Sequence, residues 1–473
     1  MHNSDYKWIV LATVSTAHFS AALDLSIIVV SFPHLAKLFN TDASVIVWLN
    51  IAFSIAELGL LLTLARIGDT IGRKKVYVIG LSLYTLGLIF CSISPNITQL
   101  IMARIVQGAG AATTLTIGSA IVVAVFPRSQ QGRAIGILGM VMAVGLIAGP
   151  ALGGFILGAL DWQGIFYTRI PIGIISLILA LIIIKEQKES HARLQLDIGG
   201  AFTLLGGTSS LLLYLNLGSE WGYLSIKSIA LAVVAVILIW LFFYLERRAA
   251  QPVLDLRLFK NRVFSMANAT NIIHMIAMVV VPTLLPFFLI NGLLLPPSTV
   301  GMLMALIAIP PVILSPLSGW LSDKIGNRIP MVVAMSLGTI TLFLASSLGI
   351  ASSLLNIAVV MLLAGVGMGI FMAPNQSAIV GAAPRENLAT AMGVANMMRL
   401  LGSSIGTAGA GTLYASQLLL NQTKLAGQGV DPTWIERIAV VESFQFILLL
   451  AAVLSFTAIL TSIFTGASSR PPE

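Results

Sequence analysis

The chain has 473 residues, 57% of them hydrophobic and only 9% charged, with a mean hydropathy of +0.98. A soluble domain carries about 25% charged residues, so the composition excludes a soluble enzyme or binding domain and indicates a polytopic membrane protein. The net charge of +8 does not point to nucleic acid, because the cations fall in short loops between apolar runs.

Runs near the roughly 20-residue length that spans a bilayer fall at 8–32, 45–65, 76–94, 98–126, 132–158, 164–184, 197–217, 225–245, 263–290, 299–321, 330–349, 353–380, 388–412 and 441–465. There are fourteen, an even number, so both termini lie on one side. Nineteen of the 26 Lys and Arg residues fall on that side. Five fall on the other (Lys37, Arg169, Lys227, Lys424 and Arg437), and Arg104 and Arg399 lie inside spans. Such a bias predicts that both termini are cytoplasmic. Residues 1–7 are polar and the first run is long, so no cleavable leader is expected. Cys91 is the single cysteine, which excludes a disulfide framework and a thiolate metal site.

The chain repeats itself. Ala65-Arg-Ile-Gly-Asp-Thr-Ile-Gly-Arg-Lys-Lys75 stands between two apolar runs, and Gly319-Trp-Leu-Ser-Asp-Lys-Ile-Gly-Asn-Arg328 does the same in the second half. Each copy has Asp, two residues, Gly, then basic residues: Asp69, Gly72 and Arg73, then Asp323, Gly326 and Arg328. Phe126-Pro-Arg is echoed by Ala383-Pro-Arg. Spans 1–6 therefore match spans 9–14, with 7 and 8 inserted between them. The implied units are residues 1–190, 191–250 and 251–473. The polar stretch 185–193 and a second linker at 246–262 join them, and the longest outer loop is predicted at 417–440.

Ionisable groups at membrane depth mark function by default. Asp24 lies about 16 residues into the first span, roughly 24 Å up at 1.5 Å per residue. Arg104 enters from the other side to a similar depth, on one helical face with Gln107 and Gly108. Either Asp24 exchanges protons while Arg104 tunes it, or the two form a permanent structural pair. Glu57 and Arg399 both fall near the midplane. Glu57 either pairs with Arg399 across the halves or faces a cavity and binds substrate. His18 and His274 sit at equivalent mid-span positions and read as hydrogen-bonded packing residues, with proton relay as the alternative. Asn50, Asn271, Asn375, Gln376, Asn396 and Met397 are further polar or soft candidates for a cavity lining, with Gln107.

Gly145, Gly149 and Gly153 recur every four residues beside Pro150 and Gly154, a pattern that permits close helix contact and a kink. Gly108-x-Gly110 lies within an apolar span with no preceding strand, so it is not a dinucleotide loop. No phosphate-binding lysine motif and no cluster of metal ligands is visible.

Together these residues resemble the major facilitator superfamily, in its fourteen-helix drug:proton antiporter branch. The resemblance rests on the loop at 65–75 and its echo, the Arg104 helix, and Gly145-x3-Gly149-Pro150-x2-Gly153-Gly154. Leu23-Asp24, Trp48, Trp162 through Gly173, and Arg399-x2-Gly402-x3-Gly406 extend it over nearly the whole chain. Ala65, Val29, Phe53 and Arg169 depart from the family pattern. The resemblance implies an all-α membrane fold of two six-helix bundles plus two inserted helices. It implies a monomer in a prokaryotic plasma membrane, exporting lipophilic cations in exchange for protons that run down their gradient, with no other cofactor. The alternatives are the same fold moving a specific metabolite, an anion or a lipid-linked molecule, or a membrane sensor that transports nothing. The two loops become a cytoplasmic latch in this reading, weakened on one side by Ala65 so that the resting state faces inward.

Overall fold

The computed structural model describes residues 3–41, 43–186, 197–249, 252–428 and 431–465. Lys188, Arg193, Arg470 and most of the 185–193 linker lie outside them.

The described chain is helical throughout, as apolar runs in lipid require, because backbone polar groups there must be satisfied within their own segment. The spans are α1 (Asn3–Leu38), α2 (Ala43–Ile71), α3 (Arg73–Ser92), α4 (Ile97–Val125), α5 (Gln131–Leu160), α6 (Gly164–Ile183), α7 (Ile198–Trp221) and α8 (Ile226–Glu246). They continue with α9 (Arg262–Gly292), α10 (Thr299–Ile325), α11 (Arg328–Ser346), α12 (Leu354–Gly381), α13 (Leu388–Gly427) and α14 (Pro432–Ile463). Thirteen are apolar and long enough to cross a membrane; α13 is longer but more polar. At 40 residues it extends about 60 Å. It ends at Gly427 and α14 begins at Pro432, so the two helices together take up most of the loop expected at 417–440.

Two spans are irregular. Pro286 in α9 precedes a π-helical turn at Phe288–Gly292, and α10 contains a 3₁₀ turn at Leu306–Ala308. Proline removes a ladder hydrogen bond, and the helix locally rewinds.

The halves meet in a mirrored way. In the first half α3 packs on α4, α2 on α4 and α1 on α5; in the second α11 packs on α14 and α12, and α9 on α13. Between halves, α5 lies against α10 and α12, and its counterpart α13 lies against α2 and α4. The inserted α7 and α8 pack on each other, and α7 rests on both α2 and α13.

The depth of these contacts is uneven. At the face carrying the repeated loops, here called the basic face, one apolar core joins Ala65, Tyr77 and Ile121 of the first half to Ala373, Leu388 and Met392 of the second. At the opposite face each half keeps its own core, one around Leu35, Leu49 and Trp162, the other around Leu285, Phe288 and Phe444. The approach at the basic face is close: a Cβ at Gly319 would lie 2.0 Å from the Gly132 carbonyl oxygen. The halves are pressed together at the basic face and separate at the other.

Gly319→Val overfills the α5–α10 contact, and overpacking costs about 1–3 kcal/mol. It is expected to loosen the basic face, read as faster amide exchange at Gly132 and Arg133. Unchanged exchange there would show that this contact does not hold the closure.

Candidate functional site

The most deeply buried polar group is a charge cluster in the first half. Asp24 from α1 is fully buried, as are Arg104 from α4 and Arg169 at the bend within α6. Arg104 Nη1 donates to Asp24 Oδ2 at 2.6 Å and to Gln107 Oε1 at 2.7 Å. Arg104 Nε donates to the Leu49 carbonyl at 3.2 Å, and the guanidinium lies over the Phe53 ring at 4.3 Å. Gln107 Nε2 donates to Asp24 Oδ1 at 3.1 Å. Arg169 Nη1 pairs with the same oxygen, and its Nε donates to the Ile165 carbonyl at 3.0 Å.

Arg169 corrects the sequence reading, which counted it among loop cations. The short turn Gly164–Tyr167 carries the chain inward before α6 proper begins, so the side chain reaches Asp24 instead of solvent. One carboxylate thus stands between two guanidinium groups, and the cluster carries one excess positive charge. Protonating Asp24 requires displacing an ion pair. Buried charges persist only when paired and hydrogen-bonded in this way.

Glu57 differs. It is 3% exposed, yet among the described residues it forms no hydrogen bond and no ion pair. The expected direct contact with Arg399 is not made, although their charges interact at longer range, as Glu57 also does with Asp24 and Arg104. Their heads are too far apart for an ion pair. Glu57 sits electrostatically between the buried cluster and the seam between halves.

At that seam, residues of α1, α4, α5, α12 and α13 enclose a narrow cleft of about 30 Å³. His18, Ser119, Gln376, Asn396 and Arg399 line it, with Met142 and Met372. His18 Nδ1 donates to the Val14 carbonyl and Nε2 pairs with Ser119 Oγ, both at 3.1 Å. Of the other candidates, Gln107 belongs to the charge cluster and Asn271 donates to the Ala395 carbonyl at 2.8 Å. Asn50 is half-buried, and Met397 packs into a core. Asn375 Oδ1 and both ring nitrogens of His274 are buried without partners. His274 is therefore not the hydrogen-bonded residue expected; its ring lies 4.1 Å from that of Phe371.

The basic face is held by two mirrored contacts. Asp69 accepts from the Ala389 and Thr390 backbone N–H groups at 3.1 and 2.8 Å and from Thr390 Oγ1 at 3.0 Å, at the start of α13. Asp323 accepts from Gly132 N–H and Arg133 N–H at 2.8 and 2.9 Å, at the start of α5. Each half supplies the carboxylate that the other half's helix start needs. Arg73 orients Asp69 and also donates to the Arg385 carbonyl at 2.6 Å; Arg66 donates to Asn387 Oδ1. Gly72 and Gly326 end the loops at φ 116° and 86°, a conformation that favours glycine. Arg328 is exposed and takes no part, because Asn327 occupies the position of Arg73.

Ala65 is accommodated in this arrangement. It is fully buried, and Gly393 of α13 leaves room for its methyl group: a Cβ there would lie only 3.1 Å away. In α5, Gly145 and Gly149 pack on α1 at Ala22 and Ser26, with Gly153 also buried, whereas Pro150 and Gly154 are exposed.

A profile described as Major Facilitator Superfamily matches residues 14–407 and 266–472. The chain is 32% identical to the riboflavin transporter RibZ of Clostridioides difficile over 416 residues, 88% of this chain and 90% of that one. It is 31% identical to the multidrug resistance protein Stp of Mycobacterium tuberculosis, over 85% of this chain and 74% of that one. It is 28% identical to the multidrug transporter protein MdtP of Bacillus subtilis, over 82% and 72%. The crystal structure of the human organic anion transporter MFSD10 (TETRAN) superposes with a TM-score of 0.68 at 15% identity, covering 95% of this chain and 99% of that one, which is a likeness of fold.

Asp24→Asn leaves two buried guanidinium groups without a counter-charge. It is expected to cost about 3–5 kcal/mol of stability, and Arg169→Leu in the same chain should return part of that. A double-mutant cycle on the detergent-solubilised protein reads the coupling; additive losses would mean that Arg169 is not bound to Asp24.

Proposed function

The chain belongs to the major facilitator superfamily, and we propose that it is a proton-coupled secondary active transporter exporting small organic molecules by alternating access. The observation that carries this reading is the mirrored closure. Two carboxylates cap the opposite half's helices at one face, while the halves stay separate at the other. A barrier on one side only is what a rocking transporter needs.

In this reading residues 1–190 and 251–473 are the moving halves, and 191–250 the inserted pair. The basic face is cytoplasmic, by the distribution of Lys and Arg, so the structure is outward-facing in a prokaryotic plasma membrane. Asp69 with Gly72 and Arg73, and Asp323 with Gly326, form the latch. The kinked glycine helix α5 slides against α1, and the protein works as a monomer on the proton gradient alone.

Glu57 is the proton carrier. Asp24 has both oxygens engaged by Arg104, Arg169 and Gln107, whereas Glu57 has no donor to displace and interacts with charges on both sides of the seam. Asp24 and Arg104 then form the fixed charge against which Glu57 works. The relatives named as multidrug proteins support a broad substrate range, and the one named as a riboflavin transporter supports a single metabolite.

Flux of ethidium, riboflavin and fluorescein into proteoliposomes with an imposed pH gradient tests the coupling. Glu57→Gln is expected to abolish gradient-driven accumulation and leave downhill exchange. Full accumulation by this variant would place the proton elsewhere.

A further inference from the structure

The cleft between the halves has a one-sided chemistry. Gln376, Asn396 and Arg399 line it, and none forms a hydrogen bond or ion pair with a described residue. Asn396 is only 7% exposed. Gln376 and Arg399 are half-buried, so three polar side chains without a protein partner converge on one partly enclosed space, where a ligand can supply the partners. Asn396 and Arg399 are three residues apart on α13 and share a face. Gln376 approaches from α12.

The donors dominate. A guanidinium offers a planar fork of five N–H groups, and each amide adds two more. No carboxylate lines the cleft, and Glu57 stands outside ion-pair reach of Arg399. Met142 and Met372 supply soft, adaptable walls suited to a flat ring. A lipophilic cation finds no counter-charge here.

We infer that the transported substrate is a flat organic anion rich in hydrogen-bond acceptors, held by Arg399 with Asn396 and Gln376 between the two halves. This rests on the transporter reading above and names its substrate class. The cleft of about 30 Å³ has room for no more than a few waters. A ligand enters by parting the halves, and its acceptors take up the donors that the closed seam leaves unpaired. Charge-assisted, forked hydrogen bonds give the selectivity.

Fluorescein and rhodamine 123 share a tricyclic frame and carry opposite charge. Binding of each to the purified full chain, followed by fluorescence anisotropy, is expected to favour fluorescein by at least tenfold. Arg399→Gln should weaken fluorescein at least tenfold and Arg399→Lys less, because Lys keeps the charge without the fork. Gln376→Leu and Asn396→Leu leave the charge in place, serve if Arg399→Gln does not fold, and should each weaken it several-fold. Tighter binding of rhodamine 123, or fluorescein affinity unchanged in the folded variants, overturns the inference. Flux in proteoliposomes separates the two readings. Fluorescein binding with no flux keeps the anion site at Arg399 and removes the transport reading. Rhodamine 123 flux with no fluorescein binding does the reverse.

Discussion

An α-helix begins with backbone N–H groups that have no partner of their own. In this protein the starts of α5 and α13 obtain that partner from the opposite half. Asp323 serves α5 and Asp69 serves α13. The closure of the basic face is therefore a capping reaction carried out in trans. A cap of this kind contributes about 0.5–2 kcal/mol. Two of them together contribute about 1–4 kcal/mol.

The interior adds a division of labour between charges. Asp24, Arg104 and Arg169 lock one another, with every oxygen of the carboxylate engaged. Such a cluster is costly to disturb and sets a constant field inside the first half. Glu57 lies within that field and within that of Arg399, but bonds to neither. Glu57 thus has fixed charges on both sides of the seam, with no direct bond to them among the described residues.

Much of this was legible in the sequence. The fourteen apolar runs match fourteen helices, and the Asp-x-x-Gly repeat marked the two loops that the structure brings against α5 and α13. What escaped was whatever depends on rotation about a helix axis or on a bend. Arg169 looked like a loop cation because the short turn at Gly164–Tyr167 is not visible as a change of direction. Glu57 and Arg399 were expected to meet because both count to mid-span, yet a residue count says nothing of azimuth. Ala65 looked like a defect because its compensation, Gly393, lies more than 300 residues away. The 417–440 stretch looked like a loop because α13 continues past the apolar run with Gln417, Asn421 and Lys424.

The inserted pair has a consequence of a different kind. A transporter of two mirrored halves has two flanks where the halves meet, one between α2 and α13 and one between α5 and α10. Here α7 lies along the first, with Gly59 of α2 fitted against Leu205, and α7 and α8 make no comparable packing on the second. The surrounding lipid thus reaches the two flanks unequally. Lateral pressure from the acyl chains, and any compound dissolved among them, acts on the interior mainly through the α5–α10 side. A bilayer of altered thickness or fluidity would push on the halves from one direction, like a hand on one cover of a book.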